Sequence, residues 1–467
     1  MGVFQDFIQM KQSHRIDPYP KHATRLGQLR KLKQLILENE DVIVNALNQD
    51  FGCRARNETV MAEILNSLSS IDHAIKNLGR WMRKQPYRTS FWSKPARTYA
   101  FPQPRGVVGI IAPWNYSLDL SISPLVAALA AGNRAMVCMS PETPHLFELV
   151  HELISKNFER TEVLVYLGND DFSPQFSALP FDHLLFTGST RVGRLVAQAA
   201  AKNLTPVTLE LGGKSPAVIG PDYDVEVAAE RITWGKSFNA GQTCIAPDYV
   251  FVPSWAQERF VKATLAKFAR SFHAMEDPDL TAIISERFYN RLTNLVEEAQ
   301  AGGATLIRPE GYEPIAANGL YKFPLTLVLN APRESTLMQE EIFGPILPVL
   351  TYNKIEDVIA YITDRDHPLS LYCFSNDRRL IDKLQTHTIS GSFGLNETLI
   401  QYMQEDMAFG GVGASGQGAY HGKAGFDTFS HSKSVFEQFS LGKFTGLKLL
   451  HPPYTPFANR LLNLMTR

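Results

Sequence analysis

Apolar residues near the start of the chain recur at helical spacing. Leucine stands at positions 26, 29, 32 and 35, and apolar residues at 64, 68, 71, 75 and 78 keep the spacing of one helix face. The polar residues between them are expected to face water. This pattern predicts long amphipathic helices over roughly the first ninety residues.

The hydrophobic period changes after residue 105. Short runs rich in Val, Ile and Leu follow, most of them separated by helix-length stretches: RGVVGIIAPW, RAMVC, EVLVY, DHLLF and PVTLEL. A second series between about 214 and 405 includes YVFVP, FPLTLVL, PILPVLTY and LSLYCFS. Strands that alternate with helices indicate βαβ units and parallel sheets buried on both faces. The sequence therefore predicts two α/β domains.

Length, charge and cysteine content narrow the class of protein. The 467 residues suffice for two or three domains at roughly 100–200 residues each. The formal net charge of −1 disfavours nucleic acid as a partner. Four dispersed cysteines argue against a disulfide framework or a cysteine-rich metal site, and they fit a reducing compartment. With no signal-peptide core and no apolar run near the ~18 residues that cross a bilayer, we expect a cytoplasmic protein.

One stretch, HLLFTGSTRVGRLVAQAA at 183–200, reads clearly as strand, turn and helix. Gly188 allows a tight turn, and Gly193 lets the helix approach the strand. Ser189 or Thr190 can cap the helix, whose free N–H groups favour a phosphate. An ordinary turn with a serine cap explains the same residues, so this stretch alone leaves both interpretations open.

A literal G-x-G-x-x-G occurs at Gly411, Gly413 and Gly416 in FGGVGASGQG. No apolar strand precedes it and no amphipathic helix follows it, which is not the context of a dinucleotide fingerprint. We therefore interpret the segment as a flexible or tightly turned loop.

Three residues carry candidate chemistry. Glu210 ends the run PVTLEL, where burial would raise its pKa toward that of a general base, and strand alternation could equally point it to solvent. Asn115, in the turn APWNYSL, either serves the turn or donates to a developing oxyanion. Cys244, in FNAGQTCIAPDY, is either an inert buried thiol or a nucleophile.

In combination, these residues and the segments around them resemble the aldehyde dehydrogenase superfamily over nearly the whole chain. The resemblance is carried by PWN, ALAAGN, FTGSTRVG, LELGGKSP, GQTC, EEIFGP and FGGVGASG. GQTCIAPDYV, RWMRKQP and YHGKAGFDTFSHSK are similar to the class 3 branch, and ETVMAEILNSLSSIDHAIKNL to its coniferyl-aldehyde group. The resemblance implies an α/β fold with a Rossmann-type parallel-sheet cofactor domain, an α/β catalytic domain and a small bridging β element for oligomerisation.

The resemblance also implies a mechanism. Cys244 attacks the carbonyl carbon of an aldehyde, and the Asn115 amide with the Cys244 N–H stabilises the oxyanion. Glu210 then activates the water that hydrolyses the resulting thioester. The implied reaction is the oxidation of a hydrophobic aldehyde, aromatic or of medium to long chain, to its carboxylic acid.

The implied cofactor is NAD or NADP, with no metal ion. The residues that the resemblance assigns to cofactor binding are Ile111, Trp114, Gly188, Ser189, Gly193, Leu211, Glu341 and Phe343. Of these, Glu341 is similar to a residue that bonds the nicotinamide ribose, and Phe343 to an aromatic residue that packs near the ring.

The segment AGNRAMVCMSPETPH departs from the family pattern. Family members carry a lysine and a glutamate, which contact the ribose on the adenine side, where this chain has Cys138 and Pro141. Neither can replace those contacts, because proline lacks an N–H and cysteine is a weak donor. Glu142, one position further on, is an alternative ligand, and the choice between NAD and NADP stays open on the sequence.

Pattern and resemblance together divide the chain into segments. We expect a cofactor domain at residues 1–87 and 105–209 and a catalytic domain at residues 210–412. We expect oligomerisation strands at 88–104 and 430–438, and a C-terminal arm at 439–467. The oligomerisation strands imply a homodimer.

Two other functions fit the same residues. The altered 138–141 segment favours a relative that keeps the fold as a structural or ligand-binding protein. Cys244 and Glu210 alone would suffice for a thioesterase-like activity. The presence of Asn115 and Glu341 beside them favours the dehydrogenase.

Overall fold

The computed structural model describes residues 2–439 and 451–466. Within these ranges the chain forms eighteen strands, in chain order β1 (Gln85–Tyr87), β2 (Arg97–Pro104), β3 (Val107–Ile111), β4 (Arg134–Met139), β5 (Val163–Leu167), β6 (His183–Gly188), β7 (Val207–Leu211), β8 (Pro216–Ile219), β9 (Tyr249–Pro253), β10 (Thr305–Ile307), β11 (Ile315–Ala317), β12 (Leu320–Lys322), β13 (Thr326–Leu329), β14 (Ile346–Tyr352), β15 (Ser370–Phe374), β16 (Ser392–Leu395), β17 (Gly416–Gln417) and β18 (Ser430–Glu437).

The same ranges contain seventeen α-helices. In chain order they are α1 (Val3–Ile16), α2 (His22–Glu38), α3 (Glu40–Phe51), α4 (Arg56–Thr59), α5 (Asn66–Trp81), α6 (Asp119–Ala131), α7 (Pro144–Asn157), α8 (Phe172–Ser177), α9 (Thr190–Ala201), α10 (Val225–Ser237), α11 (Gln257–Ser271), α12 (Glu286–Ala301), α13 (Thr336–Gln339), α14 (Ile355–Thr363), α15 (Arg378–His387), α16 (Gly422–Thr428) and α17 (Pro456–Met465). None of these helices has both the length and the apolar character that crossing a bilayer demands.

The predicted N-terminal helices are confirmed. α2 buries Leu29, Leu32 and Leu35 along one face, as the three-residue spacing indicates. The second apolar face belongs to α5, but the long helix predicted there is not uniform, because a π-helical segment, Val60–Leu65, precedes α5. These helices pack together in the same apolar core as α6 and one face of the first sheet.

Six strands form the first sheet, in the order β17-β7-β6-β3-β4-β5. All neighbours are parallel except β17, which lies antiparallel to β7 at one edge. The chain runs outward from β3 through β4 to β5 and then returns to β6 on the other side of β3. This switch in strand order opens a crevice at the carboxyl ends of β3 and β6, where sheets of this kind bind ligands.

Seven strands form the second sheet, in the order β10-β13-β14-β9-β8-β15-β16, and only the edge pair β10–β13 is antiparallel. Its central strands β8, β9 and β15 are buried along their whole length. Side chains of α10 and α11 cover one face, and side chains of α14 and α15 cover the other. Coverage on both faces explains why these strands read as continuous apolar runs, and both predicted α/β series are confirmed.

A third, antiparallel sheet contains β1, β2 and β18. β18 pairs with β2 over eight residues, Ser430–Glu437 against Arg97–Pro104. The predicted strand at 88–104 begins too early, because the residues before 97 include a 3-10 turn instead. Of the predicted C-terminal arm, residues 440–450 and 467 lie outside the described residues, and the domain limits stay a prediction.

His183 is a buried histidine at the start of β6, where its Nε2 lies 2.9 Å from the Thr208 hydroxyl. Burial, and after it the charge of Arg105, lowers the pKa of His183 to about 3. The unfolded chain therefore binds a proton below the ordinary pKa of 6.5 that the folded chain excludes. Stability is expected to fall as the pH drops from 6.5 toward 3.

We expect His183→Gln to weaken this pH dependence. One fewer proton is taken up on unfolding, so the slope of the unfolding free energy should fall by up to about 1.4 kcal/mol per pH unit in this window. Urea titrations from pH 6.5 downward measure the slope. His22→Gln, at an exposed position, should keep the wild-type slope, and an unchanged slope in His183→Gln would contradict the assignment.

Candidate active site

Cys244 lies in the connection between α10 and β9, directly after an unusual turn. Asn239, Ala240 and Gly241 all have positive φ, at 52°, 52° and 70°. A Cβ at Gly241 would stand 2.5 Å from the carbonyl oxygen of Gly344, so only glycine fits there. The letters NAG before QTC therefore encode a left-handed turn that redirects the chain just ahead of the cysteine.

Gln242 fixes this turn through its buried side-chain amide. Its Nε2 donates to the carbonyl oxygens of Asn239 and Ala282, at 2.9 and 3.0 Å, and its Oε1 accepts the N–H of Ile284 at 3.0 Å. One of these hydrogen bonds closes the turn on itself, and the other two tie the cysteine loop to the segment that precedes α12. The loop is consequently held from both sides.

Asn115 is buried and contacts the same loop. Its side-chain Nδ2 donates to the main-chain carbonyl oxygen of Gln242 at 3.1 Å. The main-chain carbonyl oxygen of Asn115 accepts from Asn239 Nδ2 at 3.1 Å. A primary amide has two hydrogens, and one is used here to hold the loop. The second is free to donate elsewhere, which keeps Asn115 compatible with the predicted oxyanion role.

Glu210, the fourth residue of β7, is 3% exposed, so the alternative that it points into solvent is wrong. No described residue donates a hydrogen bond to either of its carboxylate oxygens. Burial alone raises the pKa of Glu210 well above its usual range, because the charged form loses its water. The result is a strong base without a fixed partner.

Glu341 follows α13, and its carboxylate rests on Gly212 and Gly213. The N–H of Gly213 bonds to the carboxylate, and a Cβ at Gly212 would collide with it. Burial, and then the nearby charge of Asp248, raises the pKa of Glu341 to about 8. The glycine pair in LELGGKSP therefore makes room for a carboxylate from the second sheet's domain.

Cys244 is half-buried, and its thiol interacts electrostatically with the carboxyl groups of Glu210 and Glu341. Burial, then Glu341 and then Glu210, raises the pKa of the Cys244 thiol to about 12. The backbone N–H groups of Cys244 and Ile245 oppose this by stabilising the thiolate. The fold thus places Cys244, Glu210 and Glu341 within electrostatic range of one another, although 131 positions separate the two most distant.

The predicted cofactor residues of the first sheet lie at the carboxyl ends of its strands. Ile111 ends β3, Gly188 ends β6 and Leu211 ends β7. Ser189 caps α9 by accepting the N–H of Val192. A Cβ at Gly193 would stand 2.6 Å from Leu211 Cδ2, which shows how closely α9 approaches β7.

Aromatic side chains form one wall beside the cysteine loop. Trp114 packs against Phe288 with ring centroids 4.7 Å apart, and against the edge of Phe343 at 5.4 Å. Phe343 itself has a positive φ of 52°. Phe343, predicted near the cofactor ring, and Trp114, predicted to bind the cofactor, are therefore in contact with each other.

The crevice also holds a polar group that the sequence analysis missed. Thr187, at the penultimate position of β6, is buried, and its Oγ1 bonds to no described residue. It lies beside the exposed N-terminus of α9, whose first N–H groups favour an anion. An unpartnered hydroxyl next to free backbone donors fits the phosphates of a dinucleotide. Its only signal in the sequence is its place before Gly188.

The structure places the two residues at which this chain departs from the family pattern, Cys138 and Pro141. Cys138 is buried inside β4, where burial raises its pKa to about 12, and Pro141 is exposed. Glu142, the alternative ribose ligand, instead forms an ion pair with Arg287 at 2.8 Å. This pair links the loop after β4 to α12 in the second domain.

A model of the aldehyde dehydrogenase family matches residues 20–435. Together with the fold and the grouping of a cysteine with buried carboxylates, this match shows that the chain belongs to the aldehyde dehydrogenase family. The predicted enzyme class, an oxidoreductase that acts on aldehydes, is confirmed.

Individual relatives show which members of the family the chain is similar to. A probable coniferyl aldehyde dehydrogenase of Pseudomonas aeruginosa is 44% identical over 458 residues, which cover 98% of this chain and 94% of the relative. A 4,4'-diaponeurosporen-aldehyde dehydrogenase of Staphylococcus aureus is 40% identical over 460 residues, 97% and 96% of the two chains. The predicted resemblance to the coniferyl-aldehyde group is confirmed.

Solved structures agree with the fold. The substrate-bound state of Staphylococcus aureus AldH superposes with a TM-score of 0.94 at 36% identity and covers 100% of both chains. An NAD+ complex of an aldehyde dehydrogenase from Bacillus cereus has a TM-score of 0.82 at 25% identity and covers 90% of this chain and 85% of its own.

The grouping of acids predicts how Cys244 reacts with alkylating agents. Glu210→Gln removes one carboxylate from the surroundings of the thiol, so the pKa of Cys244 should fall and the thiolate fraction at a given pH should rise. At pH values where Glu210 is ionised, iodoacetamide should therefore modify Cys244 faster in Glu210→Gln than in the wild type, with the pH–rate curve shifted to lower pH. Glu162→Gln, far along the sheet at β5, serves as control, and an unshifted curve in Glu210→Gln would show that the two groups do not interact.

Proposed function

We propose that this chain oxidises a hydrophobic aldehyde, aromatic or of medium to long chain, to its carboxylic acid, with NAD or NADP as electron acceptor. The observation that carries the proposal is the grouping of Cys244, Glu210 and Glu341, a thiol between two buried carboxylates. The names of the Pseudomonas and Staphylococcus relatives support substrates of the coniferyl or diaponeurosporen type. The aromatic wall around Trp114 offers such substrates an apolar surface.

In the first step, the sulfur of Cys244 bonds to the aldehyde carbon and the thiol proton leaves. Because burial keeps this thiol protonated at neutral pH, a base must take the proton as the bond forms. Glu210 is the base in electrostatic range with no hydrogen-bond donor among the described residues. The carbonyl oxygen gains negative charge, which the Cys244 N–H and the second amide hydrogen of Asn115 stabilise.

A nicotinamide dinucleotide, when bound, supplies the acceptor for the two electrons that leave the aldehyde carbon. The N-terminus of α9 with the Thr187 hydroxyl would hold its phosphates. Glu341 would bind the ribose next to the ring, and Trp114 with Phe343 would pack against it.

Hydrolysis completes the reaction. Glu210 takes a proton from water, the water oxygen bonds to the thioester carbon, and the C–S bond breaks. Glu210 then gives that proton to the departing sulfur, which releases the acid and restores the Cys244 thiol. A carboxylate that burial has deprived of donors retains the basicity for this role. The raised pKa also means that the pH range in which activity appears should lie above the range expected for an ordinary glutamate base.

The test is NAD(P)H formation with hexanal, decanal, benzaldehyde and coniferaldehyde. Cys244→Ala should abolish turnover and keep the fold, because it deletes the atom that bonds to the substrate. Cys53→Ala, which removes another half-buried thiol, should retain wild-type activity.

Other outcomes separate the alternatives. An active Cys244→Ala variant would remove the nucleophile assignment. Cleavage of p-nitrophenyl esters without NAD(P)H formation would favour a thioesterase, which the closeness of Cys244 and Glu210 alone would allow. Absence of both activities would favour a binding protein.

We further propose that the cofactor site accepts both NAD and NADP. No acidic residue stands at position 141 to repel a 2′-phosphate, and the Glu142 carboxylate is paired with Arg287. Pro141→Glu should tighten NAD and weaken NADP, each by roughly tenfold, as expected for one charged hydrogen bond gained or opposed. Fluorescence titration of both variants with both nucleotides measures the change, and a wild type that binds NAD alone would contradict the proposal.

We also propose a homodimer, joined through the third sheet. β18 is an edge strand of the described sheet, with an exposed side-chain row that includes Phe436 at 52%. Exposed edges of this length favour pairing with another chain. Light scattering should give about 104 kDa, twice the chain mass of 52.2 kDa, and a value near the single-chain mass would overturn the proposal.

A further inference from the structure

A line of polar groups leads from the neighbourhood of Glu210 to the buried Asp119. The phenol oxygens of Tyr420 and Tyr402 lie 3.2 Å apart, and the Tyr402 hydroxyl donates to Oδ2 of Asp119 at 2.6 Å. Asp119 and Tyr420 are each 1% exposed. In such a dry interior these hydrogen bonds meet little competition from solvent.

The hydrogen bond from Tyr402 to Asp119 determines which phenol donates in the bond between the two tyrosines. Tyr402 has a single hydroxyl hydrogen and gives it to Asp119, so the hydrogen between the two phenols must come from Tyr420. The oxygen of Tyr420 then keeps lone pairs that can accept a further hydrogen. Every hydrogen points toward Asp119, which is the order needed to pass on a proton that arrives at Tyr420.

The loop between Phe409 and Tyr420 holds this entry point close to Glu210. Its strand β17 pairs with β7 so that Gly416 stands opposite Glu210, and the main chains of Phe409 and Tyr420 bond in both directions. Glu210 and Cys244 both raise the pKa of Tyr420, after burial, so its phenol lies within electrostatic range of both groups. A water molecule can join two polar groups that do not touch each other, and a proton path from Glu210 to Tyr420 requires one.

Asp119 is arranged as a proton acceptor. Ser123 and Ser67 donate to its Oδ1 at 2.7 and 3.3 Å. Burial raises the pKa of Asp119 to about 7, so this carboxyl group can take up and release a proton near neutral pH.

A second carboxyl group lies near Asp119. Glu405 is half-buried and within electrostatic range of Asp119, and burial raises the pKa of Glu405 to about 8. Its neighbour Asp406 is exposed and lies 3.3 Å from His73. An exposed carboxylate therefore stands one chain position from Glu405.

Two other ionisable groups lie near Asp119. Glu63 accepts the N–H groups of Leu118 and Asp119, and it is paired with Arg54 at 2.9 Å. The ring of His421 packs on Tyr402, and burial lowers the pKa of His421 to about 3, so this histidine stays neutral.

We propose that Tyr420, Tyr402 and Asp119 form a proton relay that returns Glu210 to its basic form in each turnover. The inference rests on the proposed function, since it takes Glu210 as the base. Protonated Glu210 gives its proton through water to Tyr420, Tyr420 gives its own to Tyr402, and Tyr402 gives its own to Asp119. Glu210 ends as carboxylate, Asp119 as carboxylic acid and both phenols neutral, and Asp119 then releases the proton toward Glu405 and solvent.

The variants Tyr402→Phe and Asp119→Asn each remove one member of the relay with little change of shape. The first equivalent of NAD(P)H should form at the wild-type rate, because the first bond formation requires only that Glu210 starts as a base. Hydrolysis should slow by about a hundredfold, the usual contribution of a positioned proton-transfer group. Rapid-mixing kinetics with benzaldehyde, and mass spectrometry of the acylated protein, resolve the two steps.

Tyr361→Phe is the matched control, since Tyr361 is a buried tyrosine whose hydroxyl bonds to no described residue. It should keep both steps at wild-type rates. Imidazole in the buffer should restore hydrolysis in Asp119→Asn, because a small base can replace a missing proton acceptor and cannot repair a structural defect.

The outcomes distinguish the relay from the function on which it rests. Wild-type hydrolysis in both variants, an equal loss of both steps, or no response to imidazole would overturn the relay. A wild-type protein that forms no NAD(P)H with any of the aldehydes would instead overturn the proposed function.

Discussion

The geometry of the site depends on a short piece of left-handed backbone. Asn239, Ala240 and Gly241 turn the chain in a conformation that costs energy for residues other than glycine. The cost is offset by the hydrogen bonds of Gln242 and Asn115, which would have no partners if the turn relaxed. Because these bonds join the connection after β3, the cysteine loop and the segment before α12, the sulfur of Cys244 is held where side chains of both domains reach it.

Burial at this junction acts on every acidic group in the same direction. The carboxylates of Glu210 and Glu341 and the thiol of Cys244 all have raised pKa values, because each charged form loses water on burial. The two carboxylates raise the pKa of Cys244 further. The same environment makes each ionised group a stronger base and raises the pH at which the group loses its proton. A site built in this way needs a route by which protons leave, and the hydrogen-bonded line to Asp119 answers that need.

The two ends of the proposed cofactor site follow the family to different degrees. Near the cysteine, Glu341 and Phe343 occupy the positions that the resemblance assigns, and the glycine pair beside them leaves space for the carboxylate. At the other end, Cys138 and Pro141 offer no equivalent contact, and Glu142 is engaged with Arg287. Any selectivity between nucleotides therefore has to arise from the crevice as a whole, including Thr187 and the start of α9.

The amino-acid sequence by itself determined the elements and most of the candidate residues. Helical and strand periods reflect local backbone geometry, so α2, β3 and β6 could be predicted from their neighbours alone. The turns next to Cys244 and Glu210 could be predicted because short segments such as GQTC and LELGGKSP encode local backbone structure. Only the tertiary structure decided that Glu210 is buried without a donor, and that the glycine-rich loop becomes the edge strand beside it. It alone joined Asp119 to Tyr402 across 283 positions, because contacts between distant segments depend on how whole sheets and helices pack and leave no period in the sequence.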